Sequence, residues 1–343
     1  MIFSKSSGVT NSIFGKSQEP IKAYLTEMEE AFKDKSLIQH IYKMDDTSNF
    51  AEKYGGETAL GDFEPVGENG AYPKTTFREG YSKVIEPDTW KLQFALTQEM
   101  VEDGRLGKAI QKRGGLFITS FGRTKEKFAA EILRHGIVPQ MVYGKKTFDL
   151  TGADGLPLFH EEHPSITDAS LLQSNLYDLD FTYDNLAMAE EIMQKFVDDD
   201  GNLLNLQPDT IIIPNKARIK TKVFEILNAD GRPDTQGDNN GNYHFGRWNV
   251  MVWNYLNNPP GVGHGDDWWI LSDQSWNQLY GGLIWLDRIP LTVKSWVDNN
   301  NDANVFNGRA RYTASPVNWR GFLACISGMG TFVEGYSQVD ELN

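Results

Sequence analysis

Apolar Trp90, Leu92, Phe94 and Leu96 alternate with Lys91, Gln93, Ala95 and Thr97, and a period of two predicts a strand with one buried face. After Gly104 the period lengthens. Leu106, Phe117 and Phe128 form one row eleven apart, and Ile110, Phe121 and Ile132 form a second. Eleven residues in three turns is about 3.67 per turn, which keeps the stripe on one face of a nearly straight helix. Unbroken from Glu99 to His135, such a helix would run about 55 Å at 1.5 Å per residue. Gly114, Gly115 and Gly122 interrupt it, each at about 1 kcal/mol relative to alanine. Either the helix bends there or another backbone crosses close by.

Upstream, Ile21, Leu25, Met28, Phe32, Leu37, Ile38 and Ile41 recur at helical spacing between Glu19 and Met44, predicting one amphipathic helix or two short ones behind a polar N-terminal arm. Residues 55–80 read GGETALGDFEPVGENGAYPKTTFREG. This stretch has too many Gly, Pro and charged residues to build a core, yet strand-like runs flank it. It is predicted to be a long hairpin reaching away from the body, with Trp90–Leu96 ending its return limb.

Downstream, YDNLAMAEEIMQKFVDDDG predicts an amphipathic helix opened by Asp184 and ended near Gly201. TIIIP, WNVMVWNYL and DWWILSD read as strands, and NKARIKTKVFEIL and DQSWNQLY as helices. LTVKSWV and NVFNGRARYTA form a second hairpin, and WRGFLACIS is an apolar strand. The fold class is therefore α+β, with projecting loops.

The totals narrow the function. The chain has 343 residues and a net charge of −14, from 47 acidic against 33 basic residues, which speaks against a protein that grips DNA or anionic lipid through a general basic field. Cys325 is the only cysteine, so neither an intrachain disulfide framework nor a thiolate cluster is available. With no apolar run of membrane-spanning length and no apolar N-terminal core, the expectation is a soluble protein made in a reducing cytoplasm.

Four features, in order, carry a resemblance: the long hairpin within Gly61–Thr97, a strand running into a long helix through LTQEMVEDGRLG, the loop GADGLPLFHEEHP followed by SNL, and DDDGNLLNLQPDTIIIPNKAR. The chain resembles the major capsid proteins of tailed bacteriophages, nearest the Mu-like major head subunit group, which share the shell fold named after phage HK-ninety-seven. The resemblance covers roughly residues 60–325. It implies an N-terminal arm (1–56), an extended loop (57–96), a spine helix with peripheral domain (97–205), an axial domain (206–280), a peripheral-domain hairpin (281–315) and a C-terminal strand and tail (316–343).

In such shells the extended loop lies across a neighbouring subunit and the spine helix runs along the inner wall. The resemblance thus places Phe63, Glu64, Glu68, Tyr72, Lys74, Phe77 and Arg78 at a subunit interface. It also gives the basic cluster Lys108, Lys112, Arg113, Arg123, Lys125 and Lys127 two roles to choose between: facing the lumen and DNA phosphates, or pairing with acids of adjacent subunits, which the excess of acids favours. Implied partners are copies of itself in pentamers and hexamers, a scaffolding protein, a portal, a decoration protein, and packaged double-stranded DNA held by weak non-specific contact. The implied location is the virion, after assembly in the host cytoplasm. With only about sixty residues ahead of the hairpin, opening on Met1, scaffolding is expected to be separate or absent rather than a cleaved leader. The isopeptide partners of the best-known member cannot be matched, leaving Lys74, Lys83 and Lys91 as lysines in the right region.

Catalytic and metal readings are weaker. His160 and His163 in FHEEHP are three apart in a segment ended by Pro164, whereas a zincin needs a spacing of four on a helix; a structured turn is expected. DDDGN lacks a carboxylate at the first position of a calcium loop and reads as a helix C-cap with solvated acids. Asp266 and Asp267 beside Trp268 and Trp269 suggest a glycoside hydrolase, but neighbours on a strand point to opposite faces. No cofactor, metal or catalytic residue is expected. The alternatives are an encapsulin-like nanocompartment shell and, behind it, an acidic aromatic-rich glycoside hydrolase.

Overall fold

The computed structural model of the chain describes residues 2–5, 36–57, 63, 65, 66, 71, 72, 74, 79–97, 99, 106–168, 170–231, 241–263, 267–298 and 302–328. In chain order these form β1 (Ile2–Lys5), α1 (Ile38–Ile41), β2 (Lys43–Asp46), β3 (Glu52–Glu57), β4 (Glu79–Ile85), β5 (Asp88–Leu96) and the long α2 (Leu106–Arg134). The hairpin β6 (Gln140–Tyr143) and β7 (Lys146–Asp149) follows, then the short strands β8 (His163–Pro164), β9 (Leu172–Gln173) and β10 (Leu176–Tyr177), and α3 (Tyr183–Gln194). The remainder is β11 (Thr210–Pro214), α4 (Ala217–Asn228), β12 (Asn249–Trp253), β13 (Trp268–Ser272), α5 (Gln274–Tyr280), β14 (Leu283–Asp298), β15 (Ala303–Pro316), a single 3₁₀ turn at Trp319–Gly321, and β16 (Phe322–Ile326).

Two five-stranded sheets organise the molecule. In the first, the order is β1, β14, β15, β5, with β2 also pairing with β14. The predicted hairpin of LTVKSWV with NVFNGRARYTA is present, and its first strand begins earlier, at Leu283. Trp90–Leu96 is a strand as expected, but its partner differs from expectation. β5 pairs along its whole length with β15, from Asp88 against Tyr312 to Leu96 against Asn304, while β4 alone is the return limb against β3. Leu92 is exposed, so the apolar alternation of this strand is not wholly inward.

Helix α2 is continuous through Gly114, Gly115 and Gly122, and all three are buried. Phe117, Phe128 and Ile132 face inward on the predicted stripe. A Cβ on Gly308 of β15 would lie 2.3 Å from Phe117 Cζ. The side chain of the helix thus takes the space that glycine leaves in the sheet, and α2 covers that face closely. Around Phe128 an aromatic cluster forms from Trp90, Tyr143, Phe148, Trp285 and Tyr312, with Trp90 stacked on Tyr312 at 4.9 Å.

The second sheet runs β10, β16, β13, β11, β12. Thr210–Pro214, Trp268–Ser272 and Phe322–Ile326 are buried along their full lengths, as the apolar runs predicted. This sheet draws β10 and β16 from outside the stretch 206–280.

Two expectations change in this region. Met44 does not continue a helix: α1 ends at Ile41, and Lys43–Asp46 pairs in parallel with Ile284–Asp287. Helix α3 is capped by the Thr182 side chain, which accepts from the Asn185 N–H, and ends at Gln194 rather than near Gly201. Beyond it, Val197 bridges to Leu203 around a turn closed by the Asp198 carboxylate, which accepts from the N–H groups of Asp200 and Asn202 at 2.8 and 2.9 Å. Gly201 supplies the positive φ of +87° that the turn requires. Asp199 is not solvated, because Arg320 donates to it at 2.9 Å.

Glu126, buried in the middle of α2, ties three segments together. Its carboxylate accepts from the Ser36 hydroxyl, the Leu37 N–H at 3.2 Å and the Trp253 indole N–H at 2.8 Å. A buried carboxylate is tolerated where donors converge on it, and here they join α2 to the entry of α1 and to β12 of the second sheet.

Candidate inter-subunit surfaces

The extended hairpin is fastened at its base, and the described residues of its tip are exposed. At the base, the Tyr54 hydroxyl donates to Asp45 at 2.6 Å, Lys83 donates to the Thr151 carbonyl, and the Lys83 ammonium lies 3.5 Å from Asp149. Ile85 packs with Ile284 and Leu286 of β14. The two limbs run so close that a Cβ on Gly80 would meet the Gly56 carbonyl oxygen at 2.7 Å. At the tip, Phe63, Val66 and Lys74 are exposed and Tyr72 is 91% exposed. Large apolar side chains that find no cover within their own chain mark an interaction surface. Glu64, Glu68, Phe77 and Arg78 lie outside the described residues.

The basic residues of α2 divide by face. Arg113, Leu116, Thr119, Arg123 and Lys127 form an exposed stripe at helical spacing, with Arg113 donating to the Ala95 carbonyl at 3.3 Å. Lys108 and Lys112 belong to the helix, with side chains outside the described set. Lys125 departs from the expectation of an inter-subunit or lumen-facing role. Its side chain is 22% exposed and its ammonium lies 3.2 Å from Asp287, over the rings of Phe121, Trp285 and Tyr312. Two residues from both Arg123 and Lys127, and so on the opposite side of the helix, it turns onto the first sheet, where an ion pair and aromatic faces meet its charge inside its own chain.

The loop leading into β12 presents a second exposed surface. Asn242 fixes it by donating to the Ile226 and Ala229 carbonyls at 2.6 and 2.8 Å, and Arg247 grips Glu190 at 2.7 Å. Tyr243 and Phe245 then project outward, and Phe224 of α4 is also exposed. Beneath them His244 is fully buried. Its Nε2 donates to the Tyr183 carbonyl at 3.1 Å, and its Nδ1 accepts from the Trp248 indole at 3.2 Å, an arrangement that only the neutral ring satisfies. Burial holds its pKa below the usual histidine range, against the opposing pull of the Tyr183 carbonyl and Glu190. The folded value therefore lies below the unfolded one. The contribution of this neutral ring is complete above pH of about 6.5 and is lost as pH falls from there through the folded value. Lowering the pH from 7 to 5 should reduce the unfolding midpoint and perturb Trp248 fluorescence. A His244→Gln variant should show a flatter dependence.

Residues singled out for catalysis or metal binding are absorbed by the fold. His163 is buried, with Nδ1 2.6 Å from Asp154 and Nε2 3.2 Å from the Asn175 amide oxygen, and its ring stacks on Trp319 at 4.4 Å. The Glu162 N–H donates to His160 Nδ1 at 3.0 Å, so FHEEHP is a structured turn. Asp267 is buried against Lys222 and Arg218 of α4, pinning that helix to the second sheet; Asp266 lies outside the described residues. Burial pushes the Cys325 thiol well above its ordinary range, which leaves it protonated and unreactive. Among the described residues, no helix is long and apolar enough to cross a membrane.

A sequence model of a family described as phage capsid protein matches residues 80–325. No curated protein matches the chain. Among solved structures the chain is similar to the mature capsid of bacteriophage PhiM1, at 9% identity and a TM-score of 0.50, over 86% of this chain and 88% of that one. It is also similar to a structure from Mycobacterium phage Bobi, at 14% identity and a TM-score of 0.49, over 85% of this chain and 90% of that one. The holo-SrpI encapsulin complex from Synechococcus elongatus is similar at 9% identity and a TM-score of 0.49, over 84% of this chain and 86% of that one.

Proposed function

The chain belongs to the phage capsid protein family, and on that premise we propose that it is the major head subunit, closing with its own copies into an icosahedral shell around double-stranded DNA. The observation that carries this reading is the β3–β4 hairpin, fastened at its base and bare at its tip. Such a tip is stabilised only when another chain covers it. In a closed symmetric assembly each subunit gives and receives the same contact, so many weak interactions become cooperative.

Within the family we place the chain in the Mu-like group, supported by the loop GADGLPLFHEEHP and by DDDGNLLNLQPDTIIIPNKAR. Assembly in the host cytoplasm would involve a scaffolding protein and a portal, with a decoration protein as a further partner. The net charge of −14 suits a wall that holds DNA close without adsorbing it. The exposed Arg113, Arg123 and Lys127 of α2 are then the residues for weak phosphate contact or for acids of an adjacent subunit. The work is mechanical, and no catalytic step is assigned.

Expression of the chain alone, and then with its neighbouring genes, followed by light scattering and negative-stain imaging, tests the proposal. Closed shells, or rings of five and six, are expected. A strict monomer under both conditions would overturn it, and shells loaded with an enzyme in place of DNA would redirect it to a nanocompartment.

A further inference from the structure

The face of the first sheet turned away from α2 is basic in an acidic protein. Strand register places Lys91 opposite Arg309, and Arg309 opposite Thr292, on one rung. Gln93, Asn307 and Lys294 are aligned one rung along, two residues away on each strand, and therefore on the same face. The intervening rung of Leu92, Gly308 and Val293 belongs to the opposite face, where Phe117 of α2 packs on Gly308.

Together the six outward residues line a trough of about 440 Å³. Lys91, Lys294 and Arg309 are exposed, and none has an ion pair among the described residues. At the floor, the Asn307 amide oxygen is buried without a hydrogen-bond partner. The three exposed cations form a receiving surface for an anionic chain.

A segment of that chemistry exists in this sequence. Between Tyr54 and Pro73 there is no Lys or Arg, while Glu57, Asp62, Glu64 and Glu68 supply four acids. Asp62 and Glu64 are two residues apart, about 6.5–7 Å in an extended chain, the same repeat that separates the Arg309 rung from the Lys294 rung. We propose that the trough seats the acidic outgoing limb, residues 57–68, of a second copy's extended loop, with Lys91, Lys294 and Arg309 receiving Asp62 and Glu64. This rests on the shell reading above and names the surface that receives the loop. DNA phosphate is the competing occupant; the acidic run between Tyr54 and Pro73 favours the protein.

The test is a charge exchange. Lys294→Glu with Arg309→Glu, and separately Asp62→Lys with Glu64→Lys, should each reduce shell yield about tenfold or more at roughly 0.15 M salt. The unfolding midpoint should not change, since the cations are exposed. Combining all four substitutions in one chain should restore shells. Normal shells from K294E/R309E, or no restoration in the combined chain, would overturn the proposal. So would normal K294E/R309E shells that retain less DNA, which would make the trough a phosphate surface.

A labelled peptide of residues 57–68, titrated against the purified full-length chain by fluorescence anisotropy, gives a reading independent of shells. Binding should weaken about tenfold in K294E/R309E and weaken again with added salt. Equal binding to both chains, or none to either, would overturn the proposal. Whether the unaltered chain closes into shells bears on the shell reading alone.

Discussion

A subunit lacking residues 67–73 is expected to unfold within about 2 °C of the intact chain and to form no closed shells. The described residues of the tip support both halves of this outcome. Ala71 and Tyr72 are exposed, so their removal takes nothing from the core. The fastenings of the hairpin, Tyr54 to Asp45 and Lys83 to Thr151, lie outside the deleted stretch. The loss falls instead on a surface that another copy must cover. Circular dichroism on heating reads the first half, and negative-stain imaging of the assembly reaction reads the second. Normal shells from the deletion would remove the extended loop from the interface.

The largest expected loss of stability is at Phe128. Its ring is fully buried and meets Trp90 at 5.1 Å, Phe148 at 5.0 Å and Tyr143 at 5.5 Å, joining α2 to β5 and to the β6–β7 hairpin. Replacing Phe128 with Ala removes transfer energy and leaves a cavity among rigid rings that cannot collapse into it. About 3–5 kcal/mol should be lost. Leu116→Ala, on the exposed stripe of the same helix, should change stability by no more than about 0.5 kcal/mol. Urea unfolding of the two variants distinguishes them, and a small effect at Phe128 would mean that the aromatic cluster is looser than its distances imply.

What could be read from the chain beforehand was what neighbouring residues decide among themselves. TIIIP and DWWIL are buried along their length and became central strands, and the eleven-residue rows of α2 face inward where described. The errors share a cause in non-local pairing. Met44 fits the helical period of Leu37, Ile38 and Ile41, yet β14, some 240 residues later, recruits Lys43–Asp46 as a parallel strand. Phe196 continued the period of α3, but Asp198 closes a turn that pairs Val197 with Leu203.

The same limit governed the surfaces. The bare tip of the hairpin was legible as a run too polar and too rich in glycine to bury. Lys125 was not, because Asp287 and Trp285 reach it from a distant strand. The cations of the trough were invisible for the same reason: Lys91, Lys294 and Arg309 are adjacent only through the register of β5, β15 and β14. Lys91 by itself was merely a lysine near the loop.

The place of β16 has a consequence for when this molecule can fold. Phe322–Ile326 lies inside the second sheet, between β13 and β10, and the first sheet likewise waits for β15 to cover β5. Both sheets therefore stay open, with apolar edges unpaired, until nearly all of the described chain has left the ribosome. Contacts between residues so far apart in sequence also form slowly. A polypeptide cut short before residue 322 lacks the strand that lies between β13 and β10, so its second sheet cannot close. Strand order thus makes the last strands of the described chain the ones that close both sheets.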